Sequence, residues 1–353
     1  MALNIGRAIA DCLSAGNNSK IVIGRDTRIS GNMIESSLIS GICSLGTEVL
    51  LAGIMPTPGI AHLTTSLQAS AGLVVSASHN PYFDNGIKVF NADGFKLTEE
   101  KEQEIEEAVL GETLAKRSQA IQNTGTVHHI PKGEKSYTEF LMRSLSPEID
   151  FKGVEIVIDC SNGATYRIAP DLFNKLGARV DALFIEPDGK NINDSCGSQH
   201  PEVLAQMVKA KEADIGLAFD GDGDRLIAVD EKGAILTGDQ ILAICADYLK
   251  RKSALKNNTV VSTVMSNMGL SVAFNERGIK HLITGVGDRL VVKEMLTGGA
   301  VLGGEESGHT VFLDHQTTGD GMLTALKLIE VMIAEDKPLS ELKTIMKVFP
   351  QVL

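Results

Sequence analysis

Residues 21–75 read IVIGRDTRISGNMIESSLISGICSLGTEVLLAGIMPTPGIAHLTTSLQASAGLVV. Three short apolar runs in this stretch predict buried strands, and two segments with helical spacing lie between them. The strands are expected at 21–23, 49–52 and 72–75, and the helices at 31–45 and 58–69. Strands that alternate with helices in this way are typical of a mainly parallel sheet with helices on its faces.

The same alternation continues to the end of the chain. Residues 87–97 predict two strands joined by a turn, and Thr98 is placed to cap the helix that follows. A second round predicts strands at 154–158, 179–185, 215–219 and 226–229, with helices at 164–177 and 201–211. A third round predicts helices at 238–251 and 320–335, with strands at 259–264, 281–284 and 300–302. We therefore expect an α/β protein of three consecutive similar domains, with mixed sheets flanked by helices, at 1–130, 131–233 and 234–353.

Composition narrows the classes of partner. The 353 residues carry 33 Lys and Arg against 45 Asp and Glu, a net charge of −12, which disfavours a nucleic-acid or anionic-membrane surface. No apolar run reaches the roughly 18 residues of a membrane span, and the first residues lack the layout of a signal peptide. The five cysteines form no CxxC pair, which indicates reduced thiols. We expect a cytoplasmic protein.

The first candidate site is SASHNP at 76–81, directly after a predicted strand. Open α/β sheets bind ligands at the carboxyl ends of their strands, and either Ser76 or Ser78 could serve there as a nucleophile or phosphate carrier. The competing interpretation is a plain polar turn, because serine, asparagine and proline are ordinary turn residues. The surrounding sequence is not the G-x-S-x-G elbow of a hydrolase.

The second candidate site is DGDGDR at 220–225. Its three carboxylates, Asp220, Asp222 and Asp224, can converge on one hard cation, and the adjacent Arg225 indicates that an anion shares the site. We favour a magnesium site that serves a phosphate. An EF-hand calcium loop is the alternative, since these aspartates with Ile227 and Glu231 fall at its positions. Arg225 in place of the required glycine and the β-like flanks count against it, and a solvated acidic turn is the remaining alternative.

Two further motifs and one lysine are also candidates for the site. In GGEESGH at 303–309, Glu305 and Ser307 could bind sugar hydroxyls, although a flexible acidic loop is the simpler interpretation. In GRDTR at 24–28, Arg25 and Arg28 could hold a phosphate, or form surface ion pairs. Lys88 could carry a proton if its pKa is depressed. No Walker motif, dinucleotide fingerprint or H-E-x-x-H is present.

Taken together, these motifs resemble those of the α-D-phosphohexomutase superfamily. SASHNP, DGDGDR and GGEESGH, one in each predicted domain, resemble its serine, metal and sugar loops. Four stretches resemble the branch that acts on amino-sugar phosphates: SASHNPYFDNGIKVF at 76–90, PDGKNINDSCGSQHPE at 187–202, GVGDRLVVKEM at 285–295 and LDHQTTGDGMLTAL at 313–326. The resemblance implies an isomerase that interconverts glucosamine 6-phosphate and glucosamine 1-phosphate through a 1,6-bisphosphate. Glucose or mannose phosphates are the alternative substrates.

The resemblance also implies roles for single residues. It makes Ser78 the phosphorylated residue and a ligand, with the three aspartates, of one Mg²⁺ per chain. Arg25 and Arg225 would bind phosphate, His79 would organise the serine loop, and Lys88 would be a general acid or base. The implied sugar-binding residues are Glu305, Ser307 and His309. Glu306 departs from the family pattern, in which this position is typically uncharged.

The partners implied are a phosphosugar, a kinase or bisphosphate that phosphorylates Ser78, and a second copy of the chain in a homodimer. Family members also begin with a Gly-Thr-x-Gly-x-Arg-Gly strand and end with a fourth, phosphate-binding domain, and neither motif occurs in these 353 residues. We therefore expect slow turnover from this chain alone, because a remote phosphate contact normally orients the reacting hydroxyl. A phosphosugar-binding protein with weak catalysis is the alternative function.

Overall fold

The first sheet is built from the stretch that opens the chain. The computed structural model describes residues 1–14, 19–111 and 124–351. Its first elements are α1 Ala2–Leu13, β1 Lys20–Arg25, α2 Gly31–Cys43, β2 Glu48–Ile54, α3 Thr57–Ser66, β3 Ala71–Val75, β4 Ile87–Asn91, α4 Glu99–Leu110 and β5 Val127–His129. The strand order is β4-β3-β1-β2-β5, with β4 antiparallel to β3 and the other pairs parallel.

The second sheet has the same kind of construction. Its elements are α5 Gly133–Arg143, β6 Glu155–Asp159, α6 Ile168–Lys175, β7 Arg179–Leu183, α7 Glu202–Lys211, β8 Ile215–Phe219, β9 Leu226–Asp230 and β10 Ile235–Leu236. The order is β10-β9-β8-β6-β7, in which β8 and β9 form an antiparallel hairpin. The aspartate-rich loop 220–225 is the connection of that hairpin.

The third sheet has four strands in the order β12-β11-β13-β14. Its elements are α8 Gly238–Arg251, β11 Thr259–Thr263, α9 Met268–Glu276, β12 Lys280–Thr284, α10 Asp288–Gly298, β13 Leu302–Gly304, β14 Thr310–Phe312, α11 Gly321–Glu335 and α12 Leu339–Leu342. The strands β13 and β14 are antiparallel, and the loop 303–309 turns between them. All three sheets are mixed, as the sequence predicts.

One of the two predictions for the segment 87–98 differs from the structure. The second strand predicted within 87–97 is reduced to a single bridge between Phe90 and Lys96. The side chain of Asn91 accepts the backbone N–H groups of Asp93 and Phe95, both at 3.0 Å, so those groups are not free to extend the ladder. Thr98 does cap α4, by accepting the N–H of Lys101.

The helices α1, α5, α9, α10 and α12 are absent from the sequence-based prediction. For α1 the deciding evidence is tertiary: Gly6 packs so closely on α2 that a Cβ atom there would lie 2.4 Å from the carbonyl oxygen of Leu38. The proposed domain boundary near 130 falls between β5 and α5, and residues 112–123 of the polar segment beside it lie outside the described residues. That boundary stays a prediction.

One apolar core runs through all three sheets. Val22 of the first sheet, Phe219 of the second and Leu302 of the third belong to the same buried cluster. This shared core holds the three sheets against one another and brings the loops at their strand ends together. No helix in the described ranges has the length and apolar character needed to cross a membrane.

A buried hydrogen bond joins α5 to α11. Tyr137 donates to Asp320 Oδ2 at 2.7 Å, and Asp320 Oδ1 caps α11 by accepting the N–H of Leu323 at 2.9 Å. Burial raises the pKa of Asp320 to about 6, and the bond from Tyr137 acts in the opposite direction. Both side chains are fully buried, so removing the Tyr137 hydroxyl leaves Asp320 Oδ2 without this donor.

We expect Tyr137→Phe to lower the free energy of unfolding by about 2 kcal/mol at neutral pH. An acid whose pKa is raised by folding stabilises the folded state at low pH, and this contribution is lost as the pH rises through the folded pKa. The variant raises that pKa further, so its deficit should grow from about pH 4.5 to about pH 7.5. Urea denaturation at both pH values measures it. Tyr166→Phe, at a ring that packs against Arg167, is the control and should change stability by less than about 0.5 kcal/mol. An equal deficit at both pH values would contradict the role of Asp320.

Candidate active site

The loop after β3 presents Ser78 in a conformation that few residues adopt. Its φ is +52°, in the left-handed region, and its hydroxyl donates to Asp220 Oδ2 at 2.5 Å. Ser76 has a different role, because its Oγ accepts the backbone N–H of Ser78 at 3.0 Å. Of the two candidate nucleophiles, the structure places Ser78 against the aspartates and Ser76 inside the turn.

The hairpin between β8 and β9 gathers the three aspartates. Oxygen atoms of Asp220, Asp222 and Asp224, one from each, lie within 4.8 Å of one another, and all three residues are buried. The flanking elements are antiparallel strands, so the EF-hand alternative is excluded. Close approach of the two loops requires Gly221, where a Cβ would lie 2.6 Å from the carbonyl oxygen of Ser78.

The charge of this cluster suits a cation. Asp222 Oδ1 and Asp224 Oδ1 are buried and have no hydrogen-bond partner in the described part of the chain. Burial and the two neighbouring carboxylates raise the pKa of Asp220 well above its usual range. Burial alone would raise the pKa of Asp224. Lys88, the largest opposing influence, acts together with His309, Lys96 and Arg225 to outweigh burial and lower that pKa. Three converging carboxylates, of which Asp222 and Asp224 each have an oxygen without a hydrogen-bond partner among the described residues, are a donor set that fits a hard divalent cation.

Lys88, on β4, reaches into the same cluster. Its Nζ lies 2.5 Å from Asp222 Oδ2 and 2.9 Å from Asp224 Oδ2. Burial lowers the pKa of Lys88, but the carboxylates of Asp222 and Asp224 outweigh burial and raise the pKa above its ordinary value. The depressed pKa on which the sequence analysis made proton transfer by Lys88 conditional is therefore not found, and the sequence does not show that β4 faces two aspartates.

The arginines of the predicted site are divided between two environments. Arg225 lies beside the cluster: its backbone N–H donates to Asp220 Oδ1 at 3.2 Å, and its Nε is 3.9 Å from Asp224 Oδ1. That Nε is buried without a hydrogen-bond partner among the described residues. Arg25 instead pairs with Glu35 at 3.3 Å. Arg28 is buried in an ion pair with Asp26, so it is not available to bind a phosphate.

His79 follows Ser78 in the loop and is partly buried. Burial and the nearby Arg225 lower the pKa of His79, so the neutral imidazole is favoured. Its Nδ1 has no hydrogen-bond partner within the described ranges. The ring is thus a neutral polar group beside the nucleophile loop.

The loop between β13 and β14 carries the predicted sugar-binding residues. Glu305 Oε1 accepts the backbone N–H of Gly287 at 3.2 Å, and Ser307 is exposed. His309 is 3% exposed, and its Nε2 lies 4.0 Å from Asp224 Oδ2 and 3.7 Å from Asp288 Oδ2. Through His309, the loop 303–309 therefore lies next to the cluster of three aspartates.

Four residues of this region are absent from the sequence-based prediction. Thr57 donates to Asp222, and Lys96 forms an ion pair with Asp288. Asn193 contacts the serine loop through its side-chain amide. Asp288 and Asn193 lie inside the stretches 285–295 and 187–202, whose resemblance to the superfamily was the available signal.

A cavity of about 560 Å³ opens beside the cluster, between the segment 95–100 and α10. Lys96, Asp288 and Arg289 are among its lining residues, whereas Ser78 and the three aspartates are not. Arg289 forms an ion pair with Glu102 across the same gap. The cavity thus adjoins the clustered loops through Asp288 and does not contain their reactive groups.

Comparison with known families agrees with this arrangement. Residues 1–116, 135–233 and 237–349 match, respectively, the alpha/beta/alpha domains I, II and III of phosphoglucomutase/phosphomannomutase. The chain belongs to the α-D-phosphohexomutase superfamily. The predicted superfamily, the three-domain α/β fold and the isomerase class are thereby confirmed.

Two curated relatives with more than 50% identity to this chain are both named phosphoglucosamine mutase. The phosphoglucosamine mutase of Syntrophus aciditrophicus is 54% identical over the whole chain, which covers 79% of that protein. That of Bacillus cytotoxicus is 53% identical, again over the whole chain and 79% of the relative. Among solved structures, a phosphoglucomutase/phosphomannomutase family protein from Burkholderia thailandensis matches with a TM-score of 0.83 at 28% identity, covering 100% of this chain and 76% of the other.

Proposed function

We propose that this phosphohexomutase interconverts glucosamine 6-phosphate and glucosamine 1-phosphate, with Ser78 as the phosphorylated residue. The observation that carries the proposal is the contact of 2.5 Å between the Ser78 hydroxyl and Asp220, inside a buried cluster of three carboxylates. The choice of substrate rests on the phosphoglucosamine mutases that are 54% and 53% identical over the whole chain.

The reaction consists of two phosphoryl transfers that balance. In the first, the bond between phosphorus and Ser78 Oγ breaks, a bond to the sugar 1-oxygen forms, and the proton of the 1-hydroxyl passes to Oγ. The bisphosphate then reorients, so that its 6-phosphate faces Ser78, and the bond between phosphorus and the 6-oxygen breaks. A bond to Ser78 Oγ forms, and the serine proton ends on the 6-oxygen. Such transfers depend on in-line positioning and charge neutralisation.

The carboxylates supply the means of neutralisation. Asp220, Asp222 and Asp224, with an oxygen of phosphorylated Ser78, would hold one Mg²⁺, a hard cation that prefers oxygen ligands. When bound, this ion supplies positive charge that stabilises the transferring phosphoryl group. Lys88 contributes a further positive charge at the same carboxylates. Because its pKa is raised, its protonated amine is the candidate general acid.

The remaining predicted residues have roles consistent with their positions. The Arg225 Nε has no hydrogen-bond partner in the described part of the chain, and Arg225 would bind the phosphoryl group, with Arg25 as a second candidate. His79 would hold the serine loop. The residues proposed for the sugar hydroxyls are Glu305, Ser307 and His309. A sugar 1,6-bisphosphate, or a kinase, would phosphorylate Ser78 initially. The homodimer and the cytoplasmic location stay predictions from the sequence.

Intact-mass spectrometry tests the proposal directly. After incubation with glucosamine 1,6-bisphosphate and Mg²⁺, the chain should gain about 80 Da, and peptide mapping should place the phosphate on Ser78. Parallel incubations with the glucose and mannose bisphosphates test the choice of sugar, and the glucosamine compound should phosphorylate the chain fastest. Phosphate on Ser76, or no phosphate at all, would contradict the assignment of Ser78. Faster reaction with the glucose or mannose compound would contradict the choice of substrate.

A further inference from the structure

The segment 187–202 makes a contact that the proposed chemistry does not yet use. The side-chain amide of Asn193 donates to two backbone carbonyls of the serine loop, to Ser78 O at 2.9 Å and to Asn80 O at 3.1 Å. Asn193 lies in the second sheet's half of the site, whereas the serine loop follows β3 of the first sheet. The contact therefore joins the nucleophile loop to the part of the chain that carries the aspartates.

The same two carbonyls accept from a second donor, the guanidinium of Arg28. Arg28 donates through one terminal nitrogen to Ser78 O at 3.1 Å and to Asn80 O. Its other terminal nitrogen pairs with Asp26, and the whole side chain is buried. Each carbonyl thus accepts from both the buried guanidinium of Arg28, in the loop after β1, and the amide of Asn193, in the segment after β7.

Asn193 is itself held in place by its surroundings. Its backbone N–H donates to Ser161 O at 2.9 Å, and its φ is +58°. The preceding turn is closed by the side chain of Asp188, which accepts the backbone N–H groups of Lys190 and Asn191. That turn also contacts the loop between β1 and α2, because the N–H of Ile29 donates to Gly189 O at 2.9 Å. The amide therefore belongs to a braced segment.

The serine loop needs such support. Ser78 adopts a left-handed backbone that a residue with a Cβ atom disfavours, so the surroundings must maintain it. A relaxed loop would turn Oγ away from Asp220, with which it makes a hydrogen bond of 2.5 Å. Phosphoryl transfer is sensitive to displacements of about 1 Å at the reacting atom.

We infer that Asn193 is a positioning residue, whose amide holds the serine loop so that Ser78 Oγ faces the aspartate cluster. The consequence for catalysis rests on the proposed function of Ser78. Asn193 touches neither the sugar nor the phosphoryl group in this role, and it acts only through the two carbonyls of the loop. Its removal should slow phosphoryl transfer and leave sugar binding unchanged.

Two variants at Asn193 test the inference. Asn193→Asp keeps the shape and loses the donor, whereas Asn193→Gly loses the side chain without adding charge, and both residues tolerate a positive φ. We expect each to lower kcat, and the rate of Ser78 phosphorylation, by about thirtyfold, as the loss of two hydrogen bonds implies. The KM for glucosamine 6-phosphate should change by less than about twofold. The Tm should fall by less than about 4 °C, as suits a partly exposed side chain.

Asn257→Asp is the matched control, because Asn257 also has a positive φ, +54°, and its amide also donates to two backbone carbonyls. Those carbonyls are Gly298 O at 3.4 Å and Gly299 O at 3.3 Å, which do not belong to the serine loop or to the segment 187–202. This variant should keep wild-type kcat. If Asn193→Gly also kept kcat within about twofold, or if it lost kcat only together with a fall in Tm of more than about 10 °C, the positioning role would be wrong.

Hydrogen exchange separates this inference from the proposed function, since it needs no turnover. The backbone amides of residues 76–80 should exchange faster in Asn193→Gly than in the wild type, and at the wild-type rate in Asn257→Asp. Unchanged exchange in Asn193→Gly overturns the inference even if Ser78 is phosphorylated. Faster exchange in Asn193→Gly, combined with a wild type that never accepts phosphate, would overturn the proposed function instead and leave the loop contact supported.

Discussion

Ser78→Ala should abolish mutase turnover, with a loss of at least about ten-thousandfold in kcat. The reason is that the proposed mechanism uses Ser78 Oγ in both phosphoryl transfers, once as the donor and once as the acceptor. Among the described residues, Thr57 has the only other hydroxyl that donates to the aspartate cluster. The fold should survive, because the hydroxyl is on a loop and the variant keeps the Cβ atom. The measurements are steady-state kinetics and intact mass, in which the gain of about 80 Da should disappear.

Two serine variants serve as controls for this experiment. Ser37→Ala, on the exposed face of α2, should leave both readouts unchanged. Ser76→Ala removes the acceptor for the Ser78 N–H and should slow transfer without preventing phosphorylation. Near-wild-type turnover in Ser78→Ala, with phosphate found on Ser76, would reverse the assignment of the two serines.

Asp222→Asn should weaken Mg²⁺ binding and slow phosphoryl transfer together, each by about a hundredfold. Asp222 contributes one buried oxygen without a hydrogen-bond partner in the described part of the chain, and one that contacts Lys88 and Thr57. The amide keeps the shape but removes a negative charge at a site where positive charge must be held. Isothermal titration with MgCl₂ and kcat measured at saturating Mg²⁺ give the two values.

The matched control for this change is Asp181→Asn. Asp181 is an exposed aspartate that pairs with Lys211 on the second sheet, far along the sequence from the hairpin loop. It should leave both the Mg²⁺ affinity and kcat within about twofold of wild type. Unchanged Mg²⁺ affinity in Asp222→Asn would show that the loop 220–225 does not hold the metal.

Much of this protein is determined locally, and the sequence predicts those parts well. The strands β1 to β4 of the first sheet, the helices α2 and α8 and the cap at Thr98 follow from apolar spacing and capping chemistry, whereas β5 was not predicted. The three functional loops are likewise local, because short runs such as 76–81 and 220–225 combine reactive groups with the small and turn-forming residues that a close approach needs. Those motifs also carried the resemblance to the superfamily.

Other features depend on neighbours distant along the chain. Lys88 has a raised pKa because β4 places its amine against two aspartates 134 and 136 residues away. Arg28 looks like a phosphate ligand in the sequence, but burial against Asp26 and the serine loop gives it a structural role. Asn193 has no local signal for its contact with Ser78, 115 residues away.

The sequence by itself therefore determined the secondary structure of the main elements, the family and the identity of the reactive loops, because each depends on residues close together in the chain. The tertiary structure decided which side of each loop faces the centre, which charges neutralise one another and which residues hold Ser78 in place. These depend on electrostatics and hydrogen bonding between separate sheets, which exist only once the shared apolar core has brought the three sheets together.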